Sequence, residues 1–411
     1  MDVAQPGNTT SDDRSEALQL IATPRKKEIV KYLFYESSAT LKELAELLKI
    51  TFPTAAKLIE ELQQENVVLV HDESRSSGGR RSAQYHLNPQ AGYILCVDSG
   101  RLNTKLAIMN LGREILAHRN FRSPVFKGDN GFIPLLKESV FSMLEETGVS
   151  MKNILGLGVG IPGFVDSESG ISYSFLNYFD KPISITLSET FGLPVVIAND
   201  VNLMAHAEHH FGLAKNAGDA LIINLGWGIG MGFILNNEVY MGGNGFAGEF
   251  GHIQVDPDGV PCHCGKYGCL ETVASGEAIS RIAIQRLKNG EKSLLAYDYA
   301  DDLSQITARK IVNVAKEGDE FSIRLLQESG ESIGRCLAIV MQILNPKMII
   351  LGGKHSHAGR LITNSLEKCI TQYTNPKIAE DVVIVQSDLG DASNLLGAAG
   401  LVIEKIVCAE A

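Results

Sequence analysis

The chain has 411 residues, of which 45% are hydrophobic and 21% charged, with 40 glycines and a formal net charge of −11. This length accommodates two or three domains that each bury a core, and the composition is that of a globular chain rather than a disordered or fibrous one. No run of eighteen apolar residues is present, which excludes a membrane-spanning helix, and the acidic balance excludes a surface that coats nucleic acid throughout.

The opening stretch, MDVAQPGNTTSDDRSE, lacks periodicity and reads as the bulk of a disordered tail over residues 1–23. It also lacks the basic and apolar segments of a secretory signal, so a cytoplasmic location is expected. From Pro24 the pattern becomes amphipathic. PRKKEIVKYLFYES places Ile29, Leu33 and Phe34 on one helical face, and TLKELAELLKI places Leu41, Leu44, Ala45 and Leu48 at helical offsets. A third helix is predicted for TFPTAAKLIEELQQEN, with Thr51 as N-cap and Pro53 in the first turn, where a missing N–H costs nothing. Two β-rich runs follow, Val67 to His71 and Gln84 to Leu87, joined by a loop of Gly, Ser and Arg. Three short helices and a hairpin make a winged helix-turn-helix over residues 24–89.

Within that head, residues 25–90 carry ten Lys or Arg against nine Asp or Glu, so the excess acid belongs to the rest of the chain. Thr51, Phe52, Thr54, Ala56 and Lys57 fall on or near the N-terminal face of the third helix, where helix-turn-helix proteins touch bases and phosphates. Arg80 and Arg81 follow Gly78-Gly79 at the wing tip, and paired arginines on a glycine turn suit a narrow minor groove. The bland alternative for GGRR is a solvated turn.

The body, residues 90–411, opens with YILCVDSGRLNTKLAIMNLGREIL, which reads as strand, glycine turn, strand and a second turn at Asn110 to Gly112. The pattern recurs in ALIINLGWGIGMGFILNNEVY, with Gly226 in the place of Gly100 and Asn236-Asn237 in that of the second turn. Such a repeat predicts two lobes of similar design, about 90–210 and 211–411. Helical stretches at ISRIAIQRLKNG and Phe321 to Leu344, and a buried strand MIILGG, give an α/β class.

Three of the seven cysteines lie in GHIQVDPDGVPCHCGKYGCLET. In a reducing compartment clustered cysteines hold metal more often than they form disulfides. His252, Cys262, Cys264 and Cys269 stand at H-x9-C-x-C-x4-C, four ligands suited to tetrahedral zinc. On spacing alone, a glycine-rich loop with incidental cysteines remains open. Cys96, Cys336, Cys369 and Cys408 are scattered in apolar surroundings and read as core thiols.

NDVNLMAHAE at 199–208, GFAGEFGH at 245–252, CHCGKYGCLE at 262–271, IILGG at 349–353 and GAAG at 397–400 together resemble the ROK family of repressors, open reading frames and sugar kinases. The resemblance covers roughly residues 24 to 405. It implies an actin-like, hexokinase-like fold with a sugar bound between the lobes, and a closed, structural zinc site. Its sugar positions fall on Asn199, Asp200, Glu249, His252 and Glu271, with Asp200 matching the general base of the kinases. Taken without the family, Asn199-Asp200 is equally a helix cap. A metal-bound His252 would also fix Glu249, which shares one turn with it.

The family's phosphate turns depart from pattern here. The first, approximately DIGGTN in the kinases, reads Asp98-Ser99-Gly100-Arg101-Leu102-Asn103, and the second, normally GTGIG, reads Gly226-Trp227-Gly228-Ile229-Gly230. Bulky residues replace a glycine and two threonines of the anion cradles, so ATP and Mg2+ are not expected as cofactors. The alternative is that Arg101 and Trp227 point outward and ATP still binds. The head-plus-body layout is that of the family's repressors. The expectation is therefore a sugar-responsive transcriptional regulator that binds operator DNA as a homodimer or homotetramer, is controlled by a sugar or sugar phosphate, and has no membrane partner. The rival is an ATP-dependent sugar kinase with an accessory DNA-binding head.

Overall fold

The computed structural model describes residue 21 and residues 23–71, 82–123, 131–177 and 179–409. The chain divides into two compact units, one holding everything up to Asp200 together with Leu395 onward, the other Val201–Asn394. This departs from the expected lobes. The division falls at Asp200 rather than near residue 210, and the last segment belongs to the first unit.

In the first unit, helices α1 (Pro24–Glu36), α2 (Leu41–Leu47) and α3 (Phe52–Gln64) are followed by β2 (Val68–His71) and β3 (Gln84–Leu87), with the short β1 (Ala39–Thr40) completing a three-stranded sheet in the order β1-β3-β2. Sequence signals set the helix starts. Thr23 accepts from the Lys26 amide ahead of Pro24, and Thr40 with Glu43 closes a reciprocal capping box. Ile29, Leu33, Phe34, Leu44, Ala55, Ile59 and Leu62 are buried together with Val67 and Val68. Lys26 is also buried, its ammonium 2.8 Å from Glu65 and 3.4 Å from Glu61.

The rest of this unit is built on a five-stranded sheet. Strands β4 (Tyr93–Ser99), β5 (Asn103–Asn110) and β6 (Ile115–Arg122) form an antiparallel meander, while β7 (Ile154–Ile161) and β10 (Val195–Asn199) extend it in parallel, in the order β10-β7-β4-β5-β6. A small hairpin, β8 (Val165–Asp166) with β9 (Ile171–Ser172), lies between β7 and β10 in the chain. In β7, ILGLGVGI, alternate residues differ in size. Leu157, Val159 and Ile161 join the core with helices Phe132–Thr147 and Ile183–Phe191. A Cβ at Gly158 would come within 2.6 Å of the Ala398 carbonyl oxygen, so the glycine face admits the C-terminal helix Ser393–Val402.

That C-terminal segment also reaches the head. Lys31 pairs with Glu404 at 2.9 Å, Tyr35 Oη donates to the Gly400 carbonyl at 3.2 Å, and Cys408 Sγ donates to the Lys27 carbonyl at 3.2 Å. Cys408 is thus half-buried and hydrogen-bonded rather than an apolar core thiol, whereas Cys96, Cys336 and Cys369 are buried as expected.

The second unit repeats the sheet. Strands β11 (Ala220–Leu225), β12 (Ile229–Leu235) and β13 (Glu238–Tyr240) are antiparallel, and β14 (Met348–Gly352) and β15 (Val383–Gln386) are parallel, in the order β13-β12-β11-β14-β15. The order and sense match the first sheet strand for strand, as the repeated glycine turns predict. Asn236 and Asn237 both have positive φ, the conformation that a two-residue hairpin turn requires. One face packs Leu221, Ile223 and Met231 against helices Gly276–Lys288 and Glu320–Leu344. The other takes helix Asp200–Phe211, where Gly230 and Gly232 leave room for Val201 and Ala205.

Candidate functional site

The cysteine loop is shaped by backbone pairing before any metal is considered. The Cys262 amide donates to the Lys266 carbonyl at 2.7 Å, Val255 to Gly268 at 2.8 Å, and Leu270 to Ile253 at 2.8 Å. Gly268 has φ +60 and a Cβ there would strike the Asp256 carbonyl, so only glycine fits. The folded loop gathers His252, Cys262, Cys264 and Cys269, with ligand atoms all within 4.8 Å of one another. His252 Nδ1 stands 3.5 Å from Cys262 Sγ, and Cys264 Sγ stands 3.7 Å from Cys269 Sγ. Ligands on a tetrahedral ion with bonds of about 2.0–2.3 Å stand about 3.3–3.8 Å apart, which these separations match.

Protonation favours the same conclusion. Burial and the neighbouring thiols push Cys269 up, and burial raises Cys262. At Cys264 burial also acts upward but is outweighed by the Lys266 amide, the other two thiols and the Lys266 ammonium, so its value falls. Three packed sulfurs therefore do not ionise together on their own, and a dication is what would hold all three as thiolates.

The second nitrogen of His252 faces away from the sulfurs, with Nε2 3.6 Å from Glu249 Oε2. One imidazole thus links the cysteine set to a carboxylate of the expected sugar set. Glu271 is buried at the start of the short helix Glu271–Ala274. Its Oε2 accepts from the Ile229 amide at 3.1 Å, inside the second glycine turn, and its Oε1 lies 3.3 Å from His263 Nδ1. His263 is a residue that spacing arguments passed over as the x of C-x-C, and no sequence signal marked it. In the first unit, Asn199 ends β10, with Nδ2 donating to the Gly163 carbonyl at 2.8 Å, and Asp200 opens the next helix.

The second turn is tied down by its own backbone. The Gly226 amide donates to Gly228 at 3.1 Å, while the Gly226 and Trp227 carbonyls accept from Gly276 and Glu277 at 3.2 and 3.1 Å. Trp227 is 36% exposed between the two glycines. Beside the turn, the His355 amide donates to Leu225 at 2.8 Å, and its ring fills the space that a Cβ at Gly276 would need. Burial pushes His355 down to about 4, with the Lys354 charge adding to the effect, so this imidazole is neutral near pH 7. In the first turn the Arg101 guanidinium lies over the Phe175 ring, 5.0 Å from its centroid. Asp98 is half-buried near the end of β4, and Gly100 follows the strand.

In the head, Thr51 precedes α3 without a side-chain cap bond, its hydroxyl instead 2.8 Å from that of Thr54. Thr51, Phe52 and Lys57 are exposed, Phe52 at 57%, while Thr54 and Ala56 are half-buried. Arg80 and Arg81 lie outside the described residues. Among the described residues no helix is long and apolar enough to cross a membrane.

Comparison with known proteins supplies the context. A family model described as "ROK family" matches residues 94–405. Glucokinase of Halalkalibacterium halodurans is 33% identical over 311 residues, 74% of this chain and 93% of that protein. The xylose repressor of Caldicellulosiruptor bescii is 28% identical over 390 residues, 94% of this chain and 97% of the repressor. A crystal structure of a ROK family transcriptional regulator, a homologue of the Escherichia coli MLC protein, superposes with a TM-score of 0.77 at 27% identity, covering 94% of this chain and 98% of that one. The architecture is accordingly the α/β, actin-like one expected from sequence.

Proposed function

This chain belongs to the ROK family, and from that premise we propose that it is a sugar-responsive transcriptional repressor. The head, a winged helix-turn-helix over residues 24–89, binds operator DNA. Thr51, Phe52, Thr54, Ala56 and Lys57 of the third helix make the major-groove contacts, and Arg80 and Arg81 of the wing make the minor-groove contacts. The body takes a sugar or sugar phosphate through Asn199, Asp200, Glu249, His252 and Glu271, and the protein works in the cytoplasm as a homodimer or homotetramer. A Zn2+ ion held by His252, Cys262, Cys264 and Cys269 orders the loop that carries Glu271 and, through His252, fixes Glu249.

The observation that carries this reading is the extent of the likeness. The repressor match spans 94% of the chain and takes in the head, whereas the glucokinase match spans 74%. Sugar binding and DNA binding in one chain are useful when each alters the other, and such coupling is typically about 5- to 150-fold. Thermal unfolding in the presence of single sugars and sugar phosphates tests the body, since a ligand of the native state raises the melting temperature. Stabilisation by one of them supports the reading, and the lack of any across glucose, mannose, xylose, N-acetylated hexoses and their phosphates would refute it.

The second reading, an ATP-dependent sugar kinase, is favoured by the higher identity to glucokinase and by Asp200 at the general-base position. Against it stand Arg101 in the first phosphate turn and Trp227 in the second.

A further inference from the structure

A carboxylate that reads hydroxyl groups must have its plane fixed, because the terminal torsion of glutamate is broad and nearly two-fold when left alone. Glu271 has one oxygen anchored on the Ile229 amide at 3.1 Å. An anchor on one oxygen does not by itself set the position of the other. His263 stands where it can do this, with Nδ1 3.3 Å from Glu271 Oε1. The imidazole is itself located by the metal loop. It lies between Cys262 and Cys264 in sequence, its Nδ1 is 3.9 Å from Cys262 Sγ, and its ring meets that of His252 at 5.3 Å and 76°. His252, Cys262, Cys264 and Cys269 already complete a tetrahedral set, and the nearer neighbour of His263 Nδ1 is the carboxylate rather than the sulfur.

We propose that His263 is a positioning residue for effector recognition: its Nδ1–H, with the Ile229 amide, clamps the Glu271 carboxylate in the plane that receives a sugar hydroxyl. Discrimination between sugars then depends on the order of the metal loop, through a side chain outside the His252, Cys262, Cys264 and Cys269 set. The proposal rests on the sugar-effector reading above.

The test uses the full-length, zinc-loaded protein and isothermal titration with glucose, xylose and N-acetylglucosamine, followed by the monodeoxy derivatives of whichever binds most tightly. His263→Ala should weaken that sugar about 10-fold, the scale of one hydrogen bond to a charged group. His263→Asn sets an amide nitrogen near the Nδ1 position and should restore binding to within about 3-fold of the parent, on the same hydrogen-bond scale. Zinc content should be the same in all three proteins. One deoxy derivative, lacking the hydroxyl that Glu271 reads, should bind the parent and His263→Ala alike, as coupling within one contact requires.

Unchanged affinity in His263→Ala, a loss equal in both variants and uniform across the deoxy series, or loss of zinc from either variant would overturn the proposal. If the parent binds none of the three sugars while a sugar phosphate stabilises it, the same series run on that phosphate decides the proposal by the same outcomes. If nothing binds, the sugar-sensing reading itself fails and takes this proposal with it.

Discussion

At the scale of residues, the cysteine set is the part of the site that spacing alone brings closest to a ligand assignment. Cys264→Ser should lower bound zinc from about one per chain, as a four-ligand site implies, and should weaken sugar binding with it, because Glu249 and Glu271 both lean on residues of that loop. Elemental analysis beside a sugar titration checks this, and a zinc-free variant of parental sugar affinity would contradict it. His355 offers a second test with a definite sign. Its folded-state pKa of about 4 lies below the ordinary histidine value, so the neutral ring contributes stability above about pH 6.5 that is lost as pH falls towards 4. His355→Gln should therefore lose less stability than the parent between pH 6.5 and 4, by up to about 3 kcal/mol. Release by acid of an ion held at the cysteine loop would be common to both proteins and would cancel in the difference. Equal losses of stability between pH 6.5 and 4, each measured by urea denaturation, would contradict the buried neutral ring.

At the scale of elements, the first three helices were legible because their signals are local. The stripe of Ile29, Leu33 and Phe34, the offsets of Leu41, Leu44, Ala45 and Leu48, and Pro53 in a first turn each lie within a few residues of what they specify. The repeated sheet was legible for a similar reason, through turns at Gly100 and Gly226. The return of the C-terminal helix to the first unit was not, because it depends on glycines of β7 meeting Ala398, a fit between segments far apart in the chain. His263 escaped notice for want of a partner within reach in sequence, since Glu271 meets it only after the loop has folded. Gly158→Val should destabilise the protein by about 1–3 kcal/mol or more, as overpacking does, and chemical denaturation with an unchanged midpoint would remove this contact from the account. For the head, operator affinity should fall steeply with salt as basic side chains displace counterions. Replacing Arg80 and Arg81 together by alanine should weaken binding and flatten the salt dependence, and an operator isotherm like the parent's would remove the wing from the interface.

At the scale of the whole molecule, a body related to glucokinases is joined to a head, and the proposed sugar residues serve sensing rather than phosphoryl transfer. A general base such as Asp200 contributes about 10²- to 10⁴-fold, but only to a hydroxyl already aligned with a γ-phosphate. Arg101 stacked on Phe175 and Trp227 in a turn whose carbonyls cap a helix replace the small and hydroxyl residues that would cradle it. The most direct measurement takes one preparation of the full chain, an operator selected by that protein from random duplexes, and the sugar or sugar phosphate that stabilises it. Operator affinity is read by fluorescence anisotropy with and without that effector, and ATP turnover is assayed on the same sample with the corresponding unphosphorylated sugar. The account predicts a change in operator affinity of at least about 5-fold with no turnover above background; turnover of about 1–100 per second with operator affinity indifferent to the effector would contradict it.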